Sequence, residues 1–300
     1  MKSQQRIVYS IMYKTITCKT ALNHIKSNYL PYKWDLNIYR GCMHQCQYCY
    51  ALYSHKYLDS SDFFGEIYIK ENIVECLEKK LRSRYWKRET INLGGVTDSY
   101  QPIEAKKKLM PEILKLLIKY KTPASISTKS TLVLRDLDLY DELARVAGVN
   151  IALSITCCDE NIRKKIEPYS TPTAARFDVL KTFRKTEAST GVLMMPILPF
   201  LTDTEENLTC LFRSAQAADV DYIIPGLLNL RGPTRGNFLH FIKTQFPDMY
   251  PKYLDYYQGS FAKKTYRTAL YERIAALKKA YPLSPKKHIP RRAETQLELF

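Results

Sequence analysis

An α/β chain organised around a parallel sheet is predicted by three features. Short apolar runs recur six times between residues 66 and 226, and each is followed by a segment that reads as helix. Glycine, hydroxyl and lysine residues collect where these runs end. The chain's 300 residues allow one large buried core or two smaller ones. Six strand-then-helix units of this kind close either as a barrel or as a doubly wound sheet, and in both the reactive groups belong at the carboxyl ends of the strands.

The elements follow in order. Residues 66–70 (EIYIK) form the first extended run, and 71–84 place Ile73, Val74, Leu77 and Leu81 on one helical face. TINLGG (90–95) is a strand ending in two glycines. In 109–120, Ile113, Leu116, Leu117 and Tyr120 recur at the helical period, and ASIST (124–128) is the next strand. A helix over 136–147 leads to the strand VNIALSIT (149–156). Thr171 as N-cap with Pro172 at the first helical position starts a helix that runs to about 188. GVLMMPIL (191–198) is a strand, Asp203 with Glu206 reads as a capping box before a helix over 204–218, and DYIIPG (221–226) ends the series. Beyond 230 the character changes: 231–247 and 263–281 read as helices rich in Lys, Arg, Tyr and Phe. Residues 285–295 (PKKHIPRRAET) read as an exposed basic linker.

Forty-six Lys and Arg against thirty Asp and Glu give a net charge of +16, which favours a polyanionic partner, nucleic acid first. Twenty-three tyrosines among these cations suit stacking on unpaired bases, although most will be packing residues. No secretory or membrane-spanning apolar stretch is present, so the chain reads as cytoplasmic, without a membrane partner. Its thiols are expected reduced and its disulfides absent. Cys18, Cys76 and Cys210 are isolated and read as small buried hydrophobes.

Cys42, Cys46 and Cys49, in the run Gly-Cys-Met-His-Gln-Cys-Gln-Tyr-Cys-Tyr ending at Tyr50, carry the chemistry. This spacing supplies three thiolates from one loop and no fourth, so a cubane 4Fe-4S cluster held there keeps one iron open to an outside ligand. The competing reading is a zinc site completed by His44, by His55 or by a fourth cysteine from elsewhere. Gly94, Gly95, Thr97 and Asp98, then Ser127 and Lys129, then Ser154, all fall where a strand ends. The glycines permit close backbone approach, Lys129 offers a cation, and the serines offer hydroxyls to a ligand's carboxylate and ribose.

The runs LNIYRGCMHQCQYCYA, GGVTDSYQPIE, STKS, RDLDL, LSIT and IEPYSTPTAARFDVL resemble the spore-photoproduct-lyase-like branch of the radical SAM superfamily over roughly 30–230. The resemblance implies a partial six-stranded β/α barrel over 29–230, after an N-terminal segment (1–28) and before a helical extension (231–284). It implies Cys42, Cys46 and Cys49 as cluster ligands and S-adenosyl-L-methionine (SAM) on the open iron, with an external electron donor. It places Gly94 and Gly95 beside the methionyl amino group, Tyr48 near the adenine, and Lys129 and Ser154 near the carboxylate or ribose. Asp98 and Glu167 match as supports of the pocket. Tyr48 and Tyr50 match tyrosines that assist hydrogen transfer. The activity implied is hydrogen abstraction from DNA lesions of the thymine-dimer type, with modification of RNA, a peptide or a small molecule as the alternative within the superfamily. A non-catalytic zinc-bearing nucleic-acid-binding module is the alternative outside it.

One departure matters. Val96 stands where the lyase carries its hydrogen-donating cysteine, and valine has no thiol hydrogen. Cys157 and Cys158, at the end of a neighbouring strand, are the candidate substitutes. Finally, residues 285–300 combine the linker with Gln296-Leu297-Glu298-Leu299-Phe300, which resembles the bacterial sliding-clamp-binding pentapeptide, with Gln296, Leu297, Leu299 and Phe300 as contacts.

Overall fold

A computed structural model describes residues 11–285 apart from 28, 29, 59 and 61, so the pentapeptide and almost all of the basic linker lie outside the described residues. The strands are β1 (Met12–Ile16), β2 (Leu22–His24), β3 (Trp34–Leu36), β4 (Tyr39–Arg40), β5 (Glu66–Lys70), β6 (Ile91–Leu93), β7 (Ala124–Thr128), β8 (Val149–Ser154), β9 (Ser189–Ile197) and β10 (Tyr222–Leu227). The helices are α1 (Ile73–Leu81), α2 (Glu104–Lys107), α3 (Leu109–Lys119), α4 (Leu137–Val146), α5 (Glu160–Ile166), α6 (Thr173–Phe183), α7 (Glu205–Ala217), α8 (Pro233–Gln245), α9 (Tyr250–Tyr256) and α10 (Lys264–Ala280).

The principal sheet has the order β10-β9-β8-β7-β6-β3-β2, in which β3 and β6 to β10 are parallel and β2 pairs antiparallel with β3. This is the partial β/α barrel of six parallel strands. Its first member is β3, however, and not the run 66–70. That run, as β5, pairs parallel with β1 and antiparallel with β4 in a separate three-stranded sheet. Ile67, Tyr68, Ile69 and Lys70 are all buried, so the strand is covered on both faces, and followed by an amphipathic helix it imitates a barrel unit while belonging to another layer.

The faces of the sheet are covered because parallel strands need helices on them. Ile113, Leu114, Leu116 and Leu117 of α3, Leu143 of α4, Leu180 and Phe183 of α6, and Leu208, Leu211 and Phe212 of α7 are buried with Ile91, Ile126, Ile151 and Val192 of the strands in one core.

Two helix starts differ from expectation. Thr171 donates its hydroxyl to the Lys129 carbonyl, so α6 begins at Thr173 after Pro172, and it ends at Phe183 in a turn that feeds β9. Thr204, not Asp203, caps α7, accepting from the Asn207 N–H at 3.2 Å. Asp203 instead accepts from the Tyr266 hydroxyl at 2.5 Å and so ties α10 to the rim of the barrel. No helix among the described residues is long and apolar enough to cross a membrane.

Candidate active site

Cys42, Cys46 and Cys49 lie in the loop that leaves β4, and several elements fix that loop. Thr97 donates to the Gly41 carbonyl at 2.6 Å. Gln101 donates to the same carbonyl at 3.2 Å and accepts the Met43 N–H at 3.0 Å. The Gln47 N–H reaches the Ile166 carbonyl at 2.9 Å. From the far side, α8 contributes Thr234, whose hydroxyl donates to the Cys49 carbonyl at 2.9 Å, and Asn237, whose amide donates to the Gln47 carbonyl at 2.6 Å. Gln101, Thr234 and Asn237 had no signal in the sequence, since each is an ordinary polar residue until the fold brings it to the loop.

His44 cannot complete a zinc site here. It is buried, with Nε2 3.0 Å from Asp98 Oδ2 and Nδ1 3.1 Å from the Tyr169 carbonyl. Asp98 is saturated in turn: Oδ1 accepts from the Tyr100 N–H at 2.8 Å and the Thr128 hydroxyl at 2.7 Å, and Oδ2 also accepts the Lys129 N–H at 2.9 Å. Burial alone would raise this carboxyl, but the His44 ring and these donors hold it down at about 2. Asp98 and Thr97 therefore use their polar atoms inside the protein, joining the cysteine loop to the ends of β6 and β7.

Glu167 is the second such hub. Burial opposes its charge, yet Arg176, Lys129 and the Tyr48 hydroxyl hold its carboxyl at about 2. Tyr48 donates to Oε1, and Arg176 and Ser170 donate to Oε2 at 2.5 and 3.0 Å. Arg176, fully buried, also reaches the Thr171 and Ser154 carbonyls at 2.8 and 2.7 Å.

The glycine pair ends β6. Gly94 has φ +91°, a left-handed conformation that side chains rarely adopt. A Cβ on Gly95 would stand 2.4 Å from Asp35 Oδ2, because the Asp35 carboxylate accepts the Gly95 N–H at 3.0 Å. Asn37 accepts the Val96 N–H at 2.9 Å. Asp35 and Asn37 flank the end of β3 and escaped sequence reasoning because that strand is only three residues long and reads as loop. Ser127, Lys129 and Ser154 are half-buried at the ends of β7 and β8, and the Lys129 ammonium lies 5.8 Å from the Tyr48 ring centre.

Two expectations are corrected. Disulfides were not expected, but Cys158 is bonded to Cys210, with Cα atoms 6.5 Å apart. The Asn207 side chain of α7 accepts the Cys158 N–H at 2.8 Å and draws that helix, with Cys210 one turn on, against the loop after β8. Cys158 thus has no thiol hydrogen to give, and Cys210 is not an isolated hydrophobe. Cys157 keeps its thiol but is buried; the thiol donates to the Asp159 carbonyl at 3.3 Å, and burial pushes it up to about 12. Tyr48 is buried as well, whereas Tyr50 is 64% exposed and donates its hydroxyl to the Gly95 carbonyl.

The radical SAM superfamily model matches residues 36–209, more than half of the chain. The chain belongs to the radical SAM superfamily. An uncharacterized protein of Mycobacterium tuberculosis is 36% identical over 96% of this chain and 86% of its own length. One of Methanocaldococcus jannaschii is 30% identical over 73% of this chain and 78% of its own. Among solved structures, a mutant of spore photoproduct lyase with bound AdoMet and dinucleoside spore photoproduct shares the fold, with TM-score 0.67 and 14% identity over 90% of this chain and 79% of the lyase.

Enzymes of this superfamily use a 4Fe-4S cluster and SAM, and the donor set here fits that pair. Burial pushes each of the three cysteine thiols up to about 12, so they need a metal centre to hold them as thiolates, with Lys129 assisting at Cys46 and Cys49. With His44 locked, the loop offers three donors and no fourth.

Proposed function

We propose that this radical SAM enzyme acts on DNA, on a lesion of the thymine-dimer type. The observation that carries the reading is the extent of the likeness to spore photoproduct lyase: it covers 90% of the chain, more than the barrel alone accounts for. Two further features support it, the net charge of +16 and the exposed rings of Tyr50, Tyr53 and Tyr169 beside the cysteine loop, which suit an anionic strand with an unstacked base.

In this reading Cys42, Cys46 and Cys49 hold the cluster. Tyr48 would hold the adenine, Gly94 and Gly95 the methionyl amine, and Ser127, Lys129 and Ser154 the carboxylate and ribose of SAM. Reduced by an external electron donor, the bound pair would supply the chemistry of hydrogen-atom abstraction from the substrate. Asp98 and Glu167 position the elements around that pocket. With Val96 lacking a thiol, Cys158 in a disulfide and Cys157 buried, Tyr48 and Tyr50 are left of the candidate hydrogen donors, and the exposed Tyr50 is the one this reading favours. The C-terminal pentapeptide would bring the enzyme to the bacterial sliding clamp, inserting its two leucines and phenylalanine into an apolar cleft.

The test is anaerobic incubation of the reconstituted enzyme with SAM and a reductant, with ultraviolet-irradiated or undamaged DNA. Formation of 5′-deoxyadenosine that rises with irradiated DNA, together with loss of the lesion, is expected. Equal formation with both DNAs and no change in the lesion would place the substrate in another class.

A further inference from the structure

We infer that Arg231, Arg267 and Phe261 form a phosphate grip for the DNA strand at the rim of the barrel; the inference rests on the DNA reading above. Arg231 lies just beyond β10, in the loop that enters α8, and Thr234 and Asn237 of that same helix bond the cysteine loop at 2.9 and 2.6 Å. A strand held at Arg231 is therefore held next to the reaction centre.

The platform is built rather than incidental. The Leu230 N–H bonds the Ser260 carbonyl at 2.9 Å, and Arg235 bonds the Gly259 and Tyr257 carbonyls at 2.9 and 2.8 Å. The Tyr257 hydroxyl, buried, donates to the Leu228 carbonyl at 3.0 Å. These bonds lock the loop after β10 to the loop that carries Phe261, a ring left 38% exposed. The guanidinium carbons of Arg231 and Arg267 stand 4.9 and 5.8 Å from its centre.

Neither guanidinium is paired with a carboxylate among the described residues, and Arg267 Nε is buried with no hydrogen-bond partner. Several structural arginines of this chain behave differently. Arg135, Arg163, Arg176 and Arg184 each sit against an Asp or Glu at 2.5 to 2.7 Å. Two arginines ordered by one ring, with N–H groups left over, match the doubly acceptor-rich oxygens of a phosphodiester. The choice of DNA over another anion follows from the placement beside the radical site and the excess of positive charge over the whole chain.

The experiment measures binding of a fluorescein-labelled thymidylate oligomer by anisotropy over a salt series, for the reconstituted enzyme and for Arg231→Gln, Arg267→Gln and the double variant. Each single substitution is expected to weaken binding about tenfold and to reduce the slope of log K against log salt by about one. Arg231→Lys should keep most of the slope, while the melting temperature and SAM affinity of every variant stay at the parent values. If the parent binds the oligomer and the double variant binds it equally with the same slope, the grip is refuted and the DNA reading stands. A parent that binds the matching RNA oligomer and not the DNA overturns both.

Discussion

Glu167→Gln removes one charge from a fully buried pair and leaves the shape of the site unchanged. In the native protein Arg176 and Glu167 are both at 0% exposure and 2.5 Å apart. With the carboxylate gone, the guanidinium keeps its carbonyl partners but faces them as an uncompensated buried cation, at a cost of about 3–5 kcal/mol. Against a total stability of about 5–15 kcal/mol this is a large fraction, corresponding to a fall in melting temperature on the order of 10 °C. The loss should be mostly recovered in Glu167→Gln with Arg176→Met, because removing both charges removes the conflict.

The acid limb gives an independent check on the same pair. Glu167 titrates at about 2 in the folded chain against an ordinary value of 4.5, so its ionisation contributes roughly 3 kcal/mol. A depressed carboxyl contributes fully above the unfolded value, so this stability is complete above about 4.5 and is lost as the pH falls through about 2. Urea unfolding of the iron-free protein from neutral to acid pH measures both effects. Glu167→Gln should show a shallower acid slope, the remainder coming in part from Asp98. A variant within about 1 kcal/mol of the parent, or one with an unchanged acid slope, would refute the reasoning.

The remaining expectations concern the cofactors, the hydrogen donor and the tail. Cys46→Ala should abolish both the brown cluster absorption and SAM cleavage while circular dichroism stays native, because three thiolates are the whole donor set. Gly95→Val and Lys129→Ala should each weaken SAM binding more than tenfold, about 1.4 kcal/mol or more by calorimetry; for Gly95 the new Cβ collides with the Asp35 carboxylate. Tyr50→Phe should raise the ratio of 5′-deoxyadenosine to finished product, whereas Cys158→Ser with Cys210→Ser should leave it at the parent value; normal coupling in Tyr50→Phe would count against that tyrosine. Deleting residues 296–300 should abolish binding to the sliding clamp in surface plasmon resonance and leave the melting temperature unchanged; a marked fall in melting temperature would mean that the tail packs on its own domain.

The cysteine loop and the positions of the candidate residues at strand ends were legible because three thiols at fixed spacing and residues at strand ends are local patterns. The six parallel strands were legible as a number, but the membership was wrong by one. Trp34–Leu36 is too short to show a period, while Glu66–Lys70 shows a strong one in the wrong sheet. Asp35 and Asn37 were lost with that short strand. The Cys158–Cys210 bond was missed for a different reason: its partners are 52 residues apart, and nothing in either neighbourhood announces that α7 packs its Cys210 face on the end of β8. Tertiary packing decided these points, and local pattern carries no record of it.

The helices beyond residue 230 change what the barrel can be considered to be. Thr234 and Asn237 hold two carbonyls of the cysteine loop, Gln101 and Thr97 hold it from the β6 side, and His44 joins it to Asp98. A loop fixed from so many elements is preorganised, so little ordering entropy remains to be lost when a cofactor binds. The same arrangement has a cost, because three thiols pushed up to about 12 disfavour thiolate formation until a metal compensates them. The helices beyond residue 230 are therefore part of what fixes the cysteine loop rather than an appendage to the barrel. This extension supplies the rim that bears Arg231 and Phe261 and, from the helix that follows Arg231, the hydrogen bonds of Thr234 and Asn237 to the cysteine loop, so a variant that disturbs the entry of α8 is expected to disturb that loop as well.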